Sequence, residues 1–360
     1  MKKILLVTFS DNADHQDTTF GMYEEMQKCN DYDTYLLTIK NPKVPLTTSK
    51  KTWLVDCPKR PGITKGTFNI KLLLSIVRKI KKEKFDYIYF ESLHLWNLPI
   101  MMLIGKKSVK YQVIHDVIPH EGDKQVKMVN LMNKAVCRFA DYIVLGNKKY
   151  VPLISQNYDI DENHVKYLEL WRRYPKFTEP TYSKKVLFFG RINPYKGIDN
   201  LLEIAKKCPN IQFEVMGRVD PQMESIVENI RKLQNVNVND GYVTDEEMKD
   251  AFISSDWVIV PYNSASQSGI IIDAYKYSRP VIAFEVGAIR EQVRDQISGF
   301  LIPEKNIDEF SNKLEQVNTM DHKDYLNFCH QAYDYGSQKY AVSYATKRFI
   351  DLFRDEGGKG

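Results

Sequence analysis

Short runs of β-branched and apolar residues alternate along the chain with longer stretches of helical periodicity. This alternation is typical of parallel sheets that are covered by helices on both faces. In the first half of the chain it predicts strands at Lys3–Phe9, Thr34–Ile39, Tyr87–Phe90, Tyr111–His115 and Tyr142–Leu145. Helices are predicted between them, for example at Phe20–Lys28 and Ile70–Lys82. We therefore expect the first half to form one doubly wound α/β domain.

The periodic pattern stops at residues 171–180, where two prolines indicate a linker. The alternation then resumes, with strands predicted at Lys185–Phe189, Gln212–Met216, Val236–Val238, Trp257–Val260 and Pro280–Ala283. The helices of this half are predicted at Asp199–Lys207, Pro221–Leu233, Asp245–Ile253, Ser268–Tyr277 and Tyr340–Phe353. We expect an N-terminal domain over residues 1–172, a second domain over 182–338, and a C-terminal segment, 339–360, that packs back on the first domain.

The composition agrees with a folded protein of two domains, because 360 residues exceed what one ordinary core holds. Hydrophobic residues make up 43% and charged residues 27%, close to the average of soluble proteins. The longest apolar stretch, Leu95–Ile104, is interrupted by Asn97 and Pro99 and is shorter than the roughly 20 residues of a spanning helix. We expect no membrane-spanning segment and no nucleic-acid partner, and the net charge of +5 is modest.

The five cysteines are scattered and have neither a paired nor a metal-ligand spacing, which favours a reducing cytoplasm. The apolar run Ile4–Phe9 is short and turns polar at Ser10 without a small-residue cleavage site. A buried first strand is therefore a better interpretation of this run than a signal peptide. We expect a cytoplasmic protein.

Two cations follow the predicted strand Lys185–Phe189, at Arg191 and Lys196 in a loop that opens with Gly190. In open α/β sheets, ligands gather at the carboxyl ends of the strands. The Arg191 guanidinium could donate two parallel hydrogen bonds to a diphosphate, and the Lys196 ammonium could bind it as a point charge. A solvated loop with incidental charges is the alternative, and this motif alone does not choose between the two.

A run of small polar residues, Pro261 to Gly269, follows the predicted strand Trp257–Val260 and precedes a helix. Small residues at this point let backbone amides approach an anion, which the helix dipole also favours. Asp273, one turn into the helix, would suit the hydroxyls of a ribose. Simple capping of a core helix by Ser266 or Ser268 explains the serines but not so many small polar residues together.

In order and spacing, these segments resemble the family-4 glycosyltransferases of the GT-B fold, from about Lys184 to about Pro303. The further matching stretches are residues 215–217, 240–243, 279–283, 286–288, 291 and 298–302. The resemblance implies an α/β protein of GT-B type, in which two Rossmann-like doubly wound parallel-sheet domains face each other across a cleft. By the same resemblance, the second domain binds the nucleotide-sugar donor.

The resemblance also implies roles for single residues. Arg191 and Lys196 would hold the donor diphosphate, amides at Ser268 and Gly269 would complete its cradle, and Asp273 would meet the ribose. The loop 241–243 resembles the one that grips the base. The implied donor-binding positions are Gly190, Gly217, Tyr242, Val243, Ser266, Gln267, Ser268, Gly269 and Asp273.

One departure from the family pattern is Ala265, which stands where many members have a first glutamate. That glutamate is usually placed against the transferred sugar. Its absence leaves the donor sugar and the details of catalysis open, and a weakened enzyme is an alternative.

The first half of the chain matches less closely. Strand residues Tyr111–Ile114 run into His115 and Asp116, which resemble the family's His-Asp loop facing the donor sugar. We expect His115 to contact the sugar or the acceptor and Asp116 to orient His115 or the acceptor. A histidine that caps a strand end is the alternative. His94 is a weaker candidate, for which a surface role is as reasonable.

Two Asp-x-Asp triplets, residues 31–33 and 159–161, are of the kind that holds a divalent ion in metal-dependent transferases. Both lie in polar connections away from the diphosphate motifs, so we interpret them as solvated turns and predict no metal. Fixed charges at Arg191 and Lys196 would then stabilise the leaving group.

The resemblance implies a retaining hexosyltransferase that moves a hexose or N-acetylhexosamine from a UDP- or GDP-sugar to a glycan, such as a polyprenyl-diphosphate-linked acceptor of surface polysaccharide. An oxidoreductase is a poor alternative, because no G-x-G-x-x-G follows the first strand. A non-catalytic GT-B subunit that stabilises another transferase is the second hypothesis. The pair of Arg191 and Lys196 argues against it.

The predicted helix Ile70–Lys82 carries leucines and isoleucines beside five basic residues. Such a helix can lie on the anionic inner face of a membrane. A core helix with a solvated basic side is the more common explanation of the same pattern.

Overall fold

The computed structural model describes residues 1–58, 65–115, 126–180, 182–265 and 267–354. The chain divides into two compact units. Unit 1 comprises Met1–Arg173 together with Val342–Gly360, and unit 2 comprises Tyr174–Ala341. Each unit contains one parallel sheet.

The strands of unit 1 are β1 (Lys2–Thr8), β2 (Tyr32–Ile39), β3 (Thr52–Val55), β4 (Tyr87–Phe90), β5 (Val109–Ile114), β6 (Tyr142–Leu145) and β7 (Val165–Tyr167). Its helices, apart from the last helix of the chain, are α1 (Ala13–Met26), α2 (Ile70–Glu83), α3 (Asn97–Ile104), α4 (Val126–Phe139) and α5 (Val151–Tyr158). The parallel strands follow the order β3-β2-β1-β4-β5-β6-β7. The order reverses between β1 and β4, and ligands of open α/β sheets bind at such a switch point.

The strands of unit 2 are β8 (Lys185–Phe189), β9 (Gln212–Met216), β10 (Val236–Asn239), β11 (Trp257–Val260), β12 (Val281–Phe284) and β13 (Gly299–Ile302). The helices are α6 (Ile198–Lys207), α7 (Glu224–Arg231), α8 (Asp245–Ile253), α9 (Gly269–Lys276), α10 (Ile289–Gln292), α11 (Ile307–Asn318) and α12 (His322–Tyr340). The sheet is parallel in the order β10-β9-β8-β11-β12-β13. Its switch point lies between β8 and β11, so the loops that follow these two strands meet there.

The core of unit 1 lies on both faces of its sheet, as the alternation of side chains along β1 requires. Ile4 and Leu6 pack into the cluster on the side of α1, whereas Leu5 and Val7 pack into the cluster on the side of α2 and α3. All four are at most 1% exposed. Because both faces are covered, the strand is continuously apolar, as the sequence pattern predicts.

The last helix, α13 (Val342–Arg354), belongs to unit 1. Its apolar residues recur at helical spacing, and Phe349 and Phe353 are fully buried in the cluster that contains α1. The terminal carbonyls of a helix lack partners within the helix. Here the hydroxyls of Tyr111 and Tyr87 donate to the carbonyl oxygens of Leu352 and Phe353, at 2.9 and 3.1 Å.

The sequence pattern did not predict several of the strands and helices. Strands β3, β7 and β13, which have three or four residues and lie at sheet edges, are absent from the prediction. Helix α1 begins at Ala13 rather than Phe20, because the Asn12 side chain accepts from the Asp14 amide at 2.8 Å and caps it. Helices α11 and α12 are also absent from the prediction.

The first part of the segment predicted as a linker packs against other residues of unit 1. Trp171 is buried, and its indole nitrogen donates to the carbonyl oxygen of Thr18 at 2.8 Å. The Arg172 carbonyl accepts from the Val342 amide at 2.9 Å. The first residues of the segment are thus part of unit 1.

Candidate active site

Two glycines open the loops at the carboxyl ends of β8 and β9. Gly190 and Gly217 have φ angles of 108° and 141°, which favour glycine. A Cβ on Gly217 would collide with the backbone oxygen of Gly190, and a Cβ on Gly190 would lie against the Lys196 ammonium. The absence of side chains at both positions therefore lets Lys196 reach the end of the sheet.

The Lys196 side chain is 7% exposed. Its Nζ atom lies 3.4 Å from the carbonyl oxygen of Phe189 and 5.2 Å from the centroid of the Tyr262 ring. No carboxylate pairs with it in the part of the chain that the structure describes. Burial lowers the pKa of Lys196; the Tyr195 phenol opposes this shift, and the Arg191 cation adds to it. A desolvated cation without a carboxylate is suited to receive an anionic ligand.

The loops after β8 and β11 are joined by hydrogen bonds. The amide of Asn263 donates to the Tyr195 carbonyl at 2.8 Å, and its side chain donates to the Pro194 carbonyl at 3.1 Å. In return the Asn200 side chain donates to the Pro261 carbonyl at 2.8 Å. These contacts bring Lys196 next to the segment that leads into α9. Arg191, in the same loop, is exposed.

Helix α9 begins after Ser268, whose side chain makes no capping hydrogen bond. The Ser268 amide donates to Oε1 of Gln292 at 2.6 Å, and Nε2 of Gln292 donates to the Ser268 carbonyl at 3.0 Å. The Ser268 amide, which the resemblance assigns to the diphosphate cradle, thus donates to Gln292 in this structure. The residue missed by sequence reasoning is Gln292, for which no local motif gives a signal.

The Ser268 hydroxyl lies close to the phenol of Tyr262. It is buried and has no hydrogen-bond partner of good geometry among the described residues. The Tyr262 phenol lies beside it; burial raises the pKa of Tyr262, and the Ser268 hydroxyl partly opposes this. Gly269 is the first residue of α9, and Gln267 is half-buried before it. Ser266 lies outside the described residues.

Two further predicted positions lie on either side of the α9 start. Asp273 is 6% exposed in the second turn of the helix. Ala265 is packed through its backbone: its carbonyl accepts from the Ala288 amide at 3.2 Å, and a Cβ on Gly287 would collide with this carbonyl. The end of the segment 261–265 thus packs against the turn that precedes α10.

The loop between β10 and α8 presents an aromatic side chain. Tyr242 is 84% exposed, and Val243 beside it is half-buried. The Asp240 carboxylate accepts from the Val219 amide at 2.9 Å, which ties this loop to the segment after Gly217. Tyr242 therefore projects from a loop that is anchored at its base.

In unit 1, His115 at the end of β5 contacts Glu91 at the end of β4. The Nε2 atom of His115 lies 2.8 Å from the Glu91 carbonyl oxygen and 3.3 Å from its Oε1 atom. The His15 ring stacks on the His115 ring with centroids 4.7 Å apart. Sequence reasoning missed His15, because it follows β1 whereas His115 follows β5, two strands away in the sheet. Asp116 lies outside the described residues.

Burial, with a smaller contribution from the neighbouring His115 and Arg172, lowers the pKa of His15 to about 3. His15 is therefore neutral near pH 7. His94, for which the sequence left a functional and a surface role open, is buried instead: it is 2% exposed, its Nε2 lies 2.9 Å from the Pro58 carbonyl, and its Nδ1 accepts from the Trp96 amide at 3.1 Å.

The aspartates of the two Asp-x-Asp triplets serve local structure in unit 1. Asp33 forms an ion pair with Lys51 at 2.7 Å. Asp159 ends α5 with a φ of 55°, and Asp161 accepts from the Asn163 amide at 2.9 Å. In the described ranges, no cluster of three or more His, Cys, Asp or Glu side chains is arranged to hold a metal ion.

Helix α2 packs into the core of unit 1. Ile76, Val77 and Ile80 are buried there, while the lysines of the helix face outward. Phe68 and Ile70, at its start, are 66% and 62% exposed. In the described ranges, no helix combines the length and the apolar composition needed to cross a lipid bilayer.

Comparison with known families shows that residues 183–319, within unit 2, match the family of glycosyl transferases group 1. The chain carries a group 1 glycosyltransferase domain. Relatives of this glycosyltransferase include an uncharacterized 41.2 kDa protein in the cps region of Klebsiella pneumoniae, 25% identical over 79% of this chain and 82% of that protein. The D-inositol 3-phosphate glycosyltransferase of Mycolicibacterium smegmatis is 28% identical over 39% of this chain and 34% of that enzyme.

The solved structures similar to the glycosyltransferase include HepE from Anabaena in complex with UDP and glucose. The match covers 99% of this chain and 100% of that chain, with a TM-score of 0.69 and 14% identity. The predicted fold class is confirmed: the two doubly wound parallel sheets are those of the GT-B fold.

Proposed function

We propose that this glycosyltransferase moves a hexose or N-acetylhexosamine from a UDP- or GDP-sugar to a growing surface glycan. The observation that carries the proposal is the Lys196 ammonium, buried at the switch point of unit 2 beside the start of α9. A diphosphate supplies the negative charge that this position lacks. The UDP and glucose bound by HepE are consistent with such a donor.

The proposed reaction retains the anomeric configuration and requires no metal. The bond between the anomeric carbon and the diphosphate oxygen breaks, the acceptor oxygen bonds to the same face of that carbon, and the acceptor proton passes to the departing diphosphate. Arg191, Lys196 and the amide of Gly269 would stabilise the negative charge that develops on the diphosphate. Tyr242 and Val243 would contact the base and Asp273 the ribose.

The transferred sugar would meet a different set of groups from that of most family members. Ala265 offers only a methyl group, and its carbonyl is already held by Ala288. We propose that His115, oriented by Glu91, and Asp116 supply sugar or acceptor contacts from unit 1. Replacement of His115 by alanine should lower turnover and leave nucleoside diphosphate affinity unchanged, because His115 lies outside the diphosphate-binding loops.

A lipid-linked glycan is the proposed acceptor, supported by the relative from a cps region. The enzyme would then work at the cytoplasmic face of the membrane, and contact with anionic lipid is proposed through the start of α2. Its apolar stripe is buried in the core, so Phe68 and Ile70 are the residues left to insert, beside Lys71.

Sedimentation with vesicles tests this contact. Replacing Phe68 and Ile70 by serine should abolish binding to phosphatidylglycerol vesicles, and high salt should weaken it. Replacement of Leu131, which is 69% exposed on α4, provides a matched control. A wild-type chain that stays in solution at low salt contradicts the membrane proposal.

The donor is identified by a panel of UDP- and GDP-sugars in thermal-shift and hydrolysis assays. The expected result is stabilisation by one nucleotide series and slow release of its diphosphate. Bound donor without turnover, with any available acceptor, would favour the second hypothesis of a non-catalytic subunit. If no sugar nucleotide of the panel raises the melting temperature, the proposed donor class is contradicted.

A further inference from the structure

The side chain of Gln292 forms a two-way bridge to the backbone of Ser268. Its Oε1 accepts from the Ser268 amide at 2.6 Å, and its Nε2 donates to the Ser268 carbonyl at 3.0 Å. Both residues are buried, at 6% and 4% exposure. The two hydrogen bonds resemble those of a hydrogen-bonded residue pair on neighbouring strands. Ser268 is extended, with φ −128° and ψ 117°.

The backbone of Gln292 also contacts α9, about two turns further along. Its carbonyl accepts from the Tyr275 hydroxyl at 3.2 Å, and the same hydroxyl lies 2.8 Å from the hydroxyl oxygen of Ser298. Tyr275 is fully buried. Gln292 therefore fixes α9 both at its N-cap and within its body.

This arrangement has a consequence for the first turn of α9. A serine at the N-cap ordinarily accepts from the amides of the first turn through its side chain. Ser268 makes no such bond, and its buried hydroxyl has no partner of good geometry among the described residues. The first-turn amides thus have no side-chain cap from Ser268. The Ile270 side chain of this turn and the Lys196 ammonium both approach Gly190.

We propose that Gln292 is a positioning residue for the donor diphosphate, acting by fixing the backbone of Ser268 and with it the start of α9. This inference rests on the proposed function, because it assumes that a diphosphate binds between Lys196 and the α9 start. Gln292 itself touches the backbone of Ser268 and not the diphosphate.

The variants that test the inference are Gln292→Glu and Gln292→Met. Gln292→Met removes both hydrogen bonds at nearly constant volume. Gln292→Glu keeps the acceptor for the Ser268 amide and removes the donor to the carbonyl, so it remains informative if Gln292→Met does not fold. Titration calorimetry with UDP and GDP, and competition with uridine and guanosine, separate binding of the diphosphate from binding of the base.

The expected result is a dissociation constant for the nucleoside diphosphate about tenfold higher, or about 1.4 kcal/mol, with nucleoside affinity unchanged. Asn235→Asp is the control, because the Asn235 side chain ties three backbone carbonyls of unit 2 in the core before β10. It should lower the melting temperature without a selective loss of diphosphate affinity.

Three outcomes overturn the inference. Wild-type diphosphate affinity in a folded Gln292→Glu variant removes Gln292 from donor binding. An equal loss of diphosphate and nucleoside affinity shows a general structural role, as in the Asn235 control. A wild-type chain that binds neither UDP nor GDP overturns the proposed donor class together with this inference.

Discussion

The ammonium of Lys196 lies 5.2 Å from the centroid of the Tyr262 ring, and both side chains are at most 7% exposed. A desolvated cation–π contact contributes about 2 kcal/mol. Desolvation lowers the pKa of Lys196. The contact therefore holds the cation in place without neutralising it, as a site for an anionic ligand requires.

Replacement of Lys196 by methionine should separate stability from activity. The free energy of unfolding should stay constant or rise, because an apolar side chain replaces a buried cation. Turnover should fall by about 2–4 kcal/mol of transition-state stabilisation, and Arg191→Ala should have a similar effect on turnover. Urea unfolding and donor hydrolysis measure the two quantities. Lys206→Met, at an exposed lysine paired with Glu203, should change neither, and wild-type turnover in Lys196→Met would remove Lys196 from the mechanism.

Replacement of Gly217 by alanine should destabilise unit 2. A residue other than glycine at φ 141° costs about 1–3 kcal/mol in backbone strain. At Gly217 the new Cβ would also collide with the Gly190 oxygen, so the loss should exceed that of Gly241→Ala, whose φ is 154° but whose Cβ meets open space. Chemical unfolding of both variants tests this comparison. Equal losses would show that the close approach of the two loops is not needed.

Replacement of Tyr242 by alanine should weaken nucleotide binding without loss of stability, because this side chain is 84% exposed. Stacking of a base on an aromatic ring contributes about 1–3 kcal/mol. The affinity for UDP or GDP should fall accordingly, whereas inhibition by pyrophosphate should be unchanged. Tyr344→Ala, at an aromatic residue that is 49% exposed in unit 1, is the control. Unchanged nucleotide affinity in Tyr242→Ala would contradict the proposed base contact.

The stability of unit 1 should fall in mild acid because of His94. Burial lowers its pKa from 6.5 to about 4, and the Pro58 carbonyl only partly opposes this. Between pH 4 and pH 6.5, the unfolded chain therefore binds a proton at His94 that the folded chain does not bind. The free energy of unfolding therefore decreases as the pH falls from 6.5 to 4, by up to about 3 kcal/mol. Unfolding followed by tryptophan fluorescence should show a smaller decrease in His94→Gln, and equal slopes would contradict the prediction.

The sequence by itself determined the two parallel sheets and the positions of the loops after β8 and β11. Apolar periodicity reports whether a strand is covered on both faces, and this is a local property of each segment. The glycines and cations of the loop 190–197 were visible for the same reason. The edge strands β3, β7 and β13 and the first two turns of α1 were not predicted.

Tertiary structure alone decided which groups meet. The Gln292 side chain accepts a hydrogen bond from the amide of Ser268, 24 residues earlier in the chain. The His15 ring stacks on the His115 ring, and α13 packs in the core of unit 1. The contact of Gln292 with Ser268 follows from strand order, because β11 and β12, which precede these two residues, are neighbours in the sheet. Local periodicity carries no information on strand order, so the burial of Lys196 against Tyr262 became visible only in the folded chain.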